Sequence, residues 1–474
     1  MHNPQQTDHN EMTEDVKRFE QMEDGHTEYY FDVQSIENIF DFYAENDDLE
    51  KAERVLQLGI KIHPGSVSLL MKQAIILLEK GNDKTAISIL NGLAELEQSN
   101  PDILFNLGWA YLKIDDITTA VSYFNKTLNI ADDEYEDFLL DIALFLNQSD
   151  EYTHTIDFLE SGCIKCPDNE NLLFELAYAY DKEDNIKEGL NTYKRLLDIN
   201  PFSENAWYNL GILYIREEDY VNAIKCYDYA LAINPSHAEA LFNKANALVN
   251  LGELRNALDC YIDYVSFGYD VILAYHYIAD CLEQMGFYEL ALRFFRIIVK
   301  TDSSYMPAWL GYIALLINRN HVKEALSASA KALLTEGSFP EFMYLRANAL
   351  LLADKPVNAL KWFSKSIIND LDNLRNIFEW LEVKKMLNPL EESTSHIDEW
   401  LQNYPDSSAV NYAAAAIAIQ ESKDSKLAAC FLETALQKAP ENFDYFLDIF
   451  SISDDIFEDD VLNSIITKYT DYEF

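Results

Sequence analysis

The feature that narrows the fold most is a spacing of thirty-four residues. Between Glu204 and His237 the chain reads ENAWYNLGILYIREEDYVNAIKCYDYALAINPSH. Trp207, Leu210, Gly211, Tyr214, Ala223, Tyr227, Ala230 and Pro235 stand at positions 4, 7, 8, 11, 20, 24, 27 and 32 of that unit. The first four share one face of a helix, and positions 20, 24 and 27 share one face of a second. Small residues at 8 and 20 let the two helices approach, while large ones at 4, 11 and 24 fill the flanking space. Proline at 32 bars the second helix from continuing. On this logic Ala223→Leu overpacks by about 1–3 kcal/mol, and Trp207→Ala costs about 3–5 kcal/mol.

The unit recurs. Residues 33–66 carry Ala52 and Pro64 at positions 20 and 32, and 67–100 carry Ala74, Gly81 and Ala86. Residues 101–134 carry Leu107, Gly108, Tyr111, Ala120 and Phe124, after which one extra residue shifts the phase. Units then follow at 136–169, 170–203, 204–237, 238–271, 272–305, 306–339 and 340–373. Gly81, Gly252 and Gly286 at position 15 suit a left-handed helix terminus. Residues 374–408 depart from the pattern, with Ser393 where alanine is expected and a polar stretch LNPLEESTS at 387–395. That segment reads as a degenerate repeat or a hinge. A regular unit returns at 409–442, with Ala416, Ala428, Ala435 and Pro440, and an acidic helical cap follows at 443–474. Residues 1–32 are polar and acidic, and the expectation there is a disordered or loosely helical lead.

These positions resemble the tetratricopeptide repeat family over about residues 33–442. The resemblance implies an all-α chain, an α-α superhelix (solenoid) of about eleven to twelve helix-turn-helix repeats. In that family the first helices line a concave groove that holds a peptide or a partner's helix, with positions 2, 5, 9 and 12 facing it. Across the ten units from 33 to 373 none of those positions is Lys or Arg. Aromatic and apolar residues dominate the middle of the stripe, and acids punctuate it. The candidate partner-binding residues are Phe105, Trp109, Phe174, Tyr178, Asp181, Tyr208, Ile212, Phe242, Asn246, His276 and Asp280. The competing reading is that the rings only pack against neighbouring helices, since aromatics at helical spacing are often core. Family members that clamp the acidic tail of a heat-shock protein use Lys, Asn and Arg at positions 2, 5, 6 and 9. Here Lys72 is the one basic residue at those positions in the ten units, so such a clamp is disfavoured. An apolar or basic segment, or an amphipathic helix, is the better ligand class.

Lys plus Arg total 36 against 81 Asp plus Glu, a formal net charge of −45. Such a chain is repelled by phosphate backbones and anionic lipid surfaces, which excludes nucleic acid and membrane as ligands. The same charge suggests an alternative function, an acidic surface that sequesters a basic protein. A third reading is a ligand-responsive regulator bending at 374–408. No secretory signal or long apolar run is visible, so the expected location is cytoplasmic. Six cysteines fit a reducing compartment. Cys163 and Cys166 form an isolated C-x-x-C without a second pair, and Cys226 and Cys260, at position 23 of adjacent units, are expected to be free thiols. His276, Asp280 and Glu283 share a helix face but give no zinc-type ligand set. No phosphate loop or nucleophile motif appears. The reading is therefore non-catalytic, with no cofactor and no metal: a scaffold or adaptor for a protein or peptide partner.

Overall fold

Each thirty-four-residue unit becomes two antiparallel helices because a stop and a start lie back to back inside it. In the unit at 204–237 the first helix is Glu204–Arg216 and the second Tyr220–Ile233. Between them Glu218, at position 15, has φ 57°, and the Asp219 side chain accepts the Asn222 amide as an N-cap. The Asp219 amide reaches back to the carbonyl of Tyr214 at 2.8 Å, the long bond of a Schellman terminus. The left-handed residue recurs at position 15 of ten units. It is glycine at Gly81, Gly252 and Gly286, but Asp115, Asp150, Asp184, Asn320, Asp354, Glu218 and Lys423 elsewhere. Asp and Asn tolerate this conformation through local side-chain bonds, whereas Glu and Lys bear its full steric cost.

In the computed structural model, residues 4–25, 28–46, 48–388 and 393–470 are described. Among them there is no strand, and no helix is long and apolar enough to cross a membrane. Twelve helix pairs follow one another, from Val33–Glu45 with Leu49–Ile62 to Ser408–Ile417 with Ser425–Lys438. The chain divides into two units, residues 1–240 and 241–474.

In the first unit the lead departs from the disordered or loosely helical expectation. Pro4–Glu23 is a helix of 20 residues. Val16 and Phe19 are buried and Met22 packs beside them against Phe31, Ile36, Ile39 and Tyr43. Their spacing of three residues forms an apolar stripe that closes the open side of the first repeat, a role that terminal segments of stacked arrays must fill. Ion pairs Arg54–Glu23 at 3.1 Å and Lys51–Glu20 at 3.8 Å hold it down. The extra residue near 135 is absorbed by a 3-10 turn, Asp132–Glu134, and the next helix starts one residue early at Tyr135. Gly108 and Gly211 leave room for ring faces: a Cβ on either would lie 2.5 Å and 2.6 Å from Phe124 and Tyr227. Trp207, expected to be core, is only half-buried and stacks on exposed Tyr229 with centroids 4.4 Å apart. The cost of Trp207→Ala is thereby lowered to about 2 kcal/mol.

In the second unit, residues 374–408 form a degenerate helix pair, Leu374–Leu387 and Ser393–Asn403. Asn388, at position 15, has φ −129° and makes no left-handed turn. The hinge reading turns on residues 389–392, which lie outside the described residues. Leu374, Ile377, Trp380, Leu381 and Ile397 share one core with the helix that follows. In that helix, Ser408–Ile417, every residue is buried. Its alanines allow neighbours on all sides, as an all-round apolar helix requires. It too begins one residue early, and a π-turn over Ala418–Ser422 takes up the surplus before Lys423. Phe443–Ile449 and Asp460–Tyr469 close the end, with Phe443, Phe446, Leu462 and Ile466 buried. None of the six cysteines is in a disulfide.

Candidate functional site

The eleven stripe residues lie on first helices, where positions 5, 9 and 12 fall on a different face from the packing positions 4, 8 and 11. None of the eleven is fully buried, and none is fully exposed. Phe105, Trp109, Phe174, Tyr178, Asp181, Tyr208 and Ile212 belong to the first unit, and Phe242, Asn246, His276 and Asp280 to the second.

In the first unit the rings are propped by other rings, of the following repeat for Phe105 and Trp109, of the preceding one for Tyr178 and of their own repeat for Phe174 and Tyr208. Phe105 meets Phe138 at 5.5 Å and Phe145 at 5.7 Å, and Trp109 stacks on Phe145 at 5.0 Å. Tyr178 meets Tyr152 edge-on at 6.2 Å, and Phe174 meets Tyr193 at 5.9 Å. Tyr208 lies 6.0 Å from Tyr227 and 4.8 Å from His237. Each such pair contributes about 0.5–1.5 kcal/mol beyond its burial. The rings pack against neighbouring rings on one side and are half-buried, so part of each meets solvent.

The sequence reading passed over the cations of this face. Position 13 lies one helical turn after position 9. Lys113 there sits 5.6 Å from the Trp109 ring and Lys182 sits 5.1 Å from the Tyr178 ring. Arg216, also at position 13, pairs with Asp181 of the preceding repeat at 2.5 Å and with Asp184. The signal was present as an aromatic followed four residues later by Lys, a spacing that brings side chains together. An anionic stripe without cations is thus corrected to one whose cations stand at its edge, and Asp181 is already neutralised. Glu175 is different. It accepts a bond from Asn147 Nδ2 at 2.7 Å but pairs with no cation among the described residues, and burial pushes its carboxyl up despite that bond. Asp141 is pushed up by desolvation and by nearby Asp137.

In the second unit Phe242 is held by three rings, Tyr261, Tyr264 and Tyr277, at 5.7, 5.6 and 5.0 Å. Asn246 Oδ1 accepts the Tyr261 hydroxyl at 2.6 Å, so both serve the packing. His276 Nε2 lies 3.4 Å from Asp280, whose carboxyl burial pushes up while His276 opposes the shift. Glu283 is raised by burial and by Asp280. Among the described residues no three His, Cys, Asp or Glu side chains are grouped to hold a metal. Burial raises the Cys163 thiol, and burial with a bond to Glu136 pushes Cys166 up to about 11, so neither is a reactive thiolate at neutral pH.

Tetratricopeptide repeat models match residues 204–237, 226–259, and 101–134 with 171–203. The chain is similar in structure to YrrB, a TPR protein with an unusual peptide-binding site, at 19% identity over 39% of this chain and 95% of that one, TM-score 0.33. It is similar to a tetratricopeptide repeat protein from Parabacteroides merdae at 18% identity over 53% of this chain and 98% of that one, TM-score 0.39. It also resembles Naa15/Naa10 bound to HypK-THB at 12% identity over 88% of this chain and 72% of that one, TM-score 0.36. No curated protein matches the chain.

Proposed function

The chain is a tetratricopeptide repeat protein, and from that premise we propose that it is a non-catalytic, cytoplasmic scaffold that holds a segment of a partner protein on the first-helix stripe of residues 105–215. The observation that carries this reading is a row of half-buried rings, Phe105, Trp109, Phe174, Tyr178 and Tyr208, beside a carboxylate, Glu175, that burial raises and no cation offsets. Half-exposed aromatics offer an incoming side chain a large apolar surface at low entropic cost. A cation brought by the ligand would stabilise Glu175 in the charged form. An apolar segment carrying Lys or Arg satisfies both, as an extended peptide or an amphipathic helix.

The test compares partner capture from native lysate by the wild type and by Trp109→Ala/Tyr178→Ala, at low and high salt. Loss of the partner with helicity and melting temperature retained supports the stripe. Capture that survives the double substitution and vanishes with salt would instead favour an acidic surface that sequesters a basic protein.

A further inference from the structure

Three consecutive second helices of the second unit carry the opposite charge from the chain as a whole. Tyr288–Thr301 has Arg293, Arg296 and Lys300 against Glu289, and Val322–Thr335 has Lys323 and Lys331 against Glu324. Pro356–Asn369 has Lys361 and Lys365 and no acid. All of these cations are exposed except Arg296, which is partly buried. In a chain of 36 basic and 81 acidic residues this concentration is unlike its surroundings. Between the first two of these helices and Met306–Asn318 lies a cavity of about 420 Å³. Val299, Trp309, Tyr312 and Ala328 form its buried lining. Lys300, Lys331 and Arg296 stand around it with Glu324. The Trp309 indole N–H is spent on the Ser303 carbonyl at 3.0 Å, so the ring presents carbon to the cavity. Arg296 donates to the Tyr312 hydroxyl at 3.2 Å and pairs with Glu324 at 3.1 Å. Lys300 and Lys331 have no ion pair or side-chain hydrogen bond among the described residues.

The repeat architecture makes such a cavity, and another repeat shows it with a bulkier lining. A cavity of about 300 Å³ occupies the same repeat positions in the first unit. There Asn125, Asn129 and Ser161 take the places of Arg296, Lys300 and Lys331, and Phe158 the place of Ala328. Lys165 lies 4.1 Å from the Tyr135 ring at its edge, so that cation is engaged. In the second unit the phenyl ring is replaced by a methyl group and Asn125, Asn129 and Ser161 by three cations, whereas the first-unit rim carries Asp157 as well as Lys165. Exposed Ile297, Leu334 and Ile368 extend the apolar surface between them.

We propose that this face docks an acidic peptide segment, with an apolar side chain of the segment entering the cavity beside Trp309 and its flanking carboxylates meeting Lys300, Lys331 and Arg296. The volume lies within the range that holds a bulky side chain or a small ligand. At physiological salt, charges beyond about 8 Å are screened, so a short segment feels the local cations and not the acids elsewhere on the chain. A nucleic acid brings phosphates to the rim but no side chain for the lining, and its length would carry it onto acidic surface.

The experiment measures fluorescence anisotropy of short synthetic peptides against the full chain: an acidic peptide with one phenylalanine, the same peptide with that residue changed to alanine, and the same with its acids changed to amides. Saturable binding of the first is expected, with at least tenfold weakening for either altered peptide. Lys300→Glu/Lys331→Glu, both at exposed positions, weakens the first at least tenfold and leaves the melting temperature unmoved. Ala328→Phe, which gives the cavity the ring that Phe158 supplies in the first unit, weakens the phenylalanine peptide but not the alanine one. Trp109→Ala/Tyr178→Ala leaves all binding unchanged, which separates this face from the first-helix stripe. Absence of saturation up to roughly 1 mM, equal binding of the phenylalanine and alanine peptides, insensitivity to the charge reversal, or equally tight binding of inorganic polyphosphate overturns the proposal.

Discussion

Residues 1–240 and 241–474 run the same repeat with different side chains at the same positions. Tyr227 and Tyr261 hold position 24 in consecutive repeats, one in each unit, and both are fully buried. The hydroxyl of Tyr261 finds Asn246, whereas that of Tyr227 finds no hydrogen-bond partner among the described residues. Phe105 and Phe242 hold position 5 on the first helices. Phe105 meets three phenylalanines, one of its own repeat and two of the next, and Phe242 meets three tyrosines. The second-helix cavity has one cation, Lys165, beside Asp157 in one unit and three, Arg296, Lys300 and Lys331, beside Glu324 in the other. Backbone and small-residue positions are shared because they make helices approach. Whatever those positions leave open is where the units differ, and partner choice can be written there.

The largest expected contrast lies on the stripe. Phe242→Ala removes three ring contacts and costs about 2–3 kcal/mol in chemical denaturation. Trp109→Ala removes one stacking partner and costs about 1 kcal/mol. Equal losses would show both to be core and dissolve the distinction. At position 24, Tyr261→Phe strands the Asn246 carbonyl and costs about 1 kcal/mol, while Tyr227→Phe is neutral or stabilising, because the hydroxyl it removes is buried without a bond. Melting of the two single variants decides this. A comparable exchange applies at the left-handed turn. Glu218→Gly should stabilise by about 1 kcal/mol, and Gly252→Glu should destabilise by a similar amount.

The smallest expected effect is pH-dependent. Burial raises the Glu175 carboxyl, so the folded state binds that proton more tightly than the unfolded chain. Stability from this group therefore falls as pH rises from the ordinary glutamate range through the raised value, and the penalty is complete above it. Glu175→Gln should raise the melting temperature at pH 7, and the gain should shrink as the pH falls below the ordinary glutamate range. A gain that persists unchanged in acid would assign the effect to packing.

Most of the architecture was legible because it depends on residue size at fixed spacing. Gly108, Ala223 and Pro235 can be read without knowing what surrounds them. The left-handed turns were legible at Gly81, Gly252 and Gly286. At Glu218 and Lys423 the stacked fold imposes the conformation against local preference. The lead helix was hidden because Val16, Phe19 and Met22 are three apolar residues in an acidic run, and their stripe matters only once a repeat stands beside it. On the stripe, residue types and helix positions could be read from the spacing. What escaped was which neighbour each side chain reaches: Arg216 finds Asp181 thirty-five residues earlier in the chain, and no local pattern announces it. The cationic second-helix face escaped for another reason. Its residues are scattered through three repeats and are outvoted in any tally of net charge.

The 3-10 turn at 132–134 and the π-turn at 418–422 each take in one surplus residue, and the repeat that follows resumes its normal spacing. In a globular core an added residue displaces partners from distant parts of the chain. Here the disturbance ends within one loop of backbone, because each helix pair answers only to its immediate neighbours. Such a chain can be spliced. Copying errors that lengthen, shorten or duplicate it at a junction leave working modules on either side, and a face suited to a new partner can arise in one module without endangering the rest.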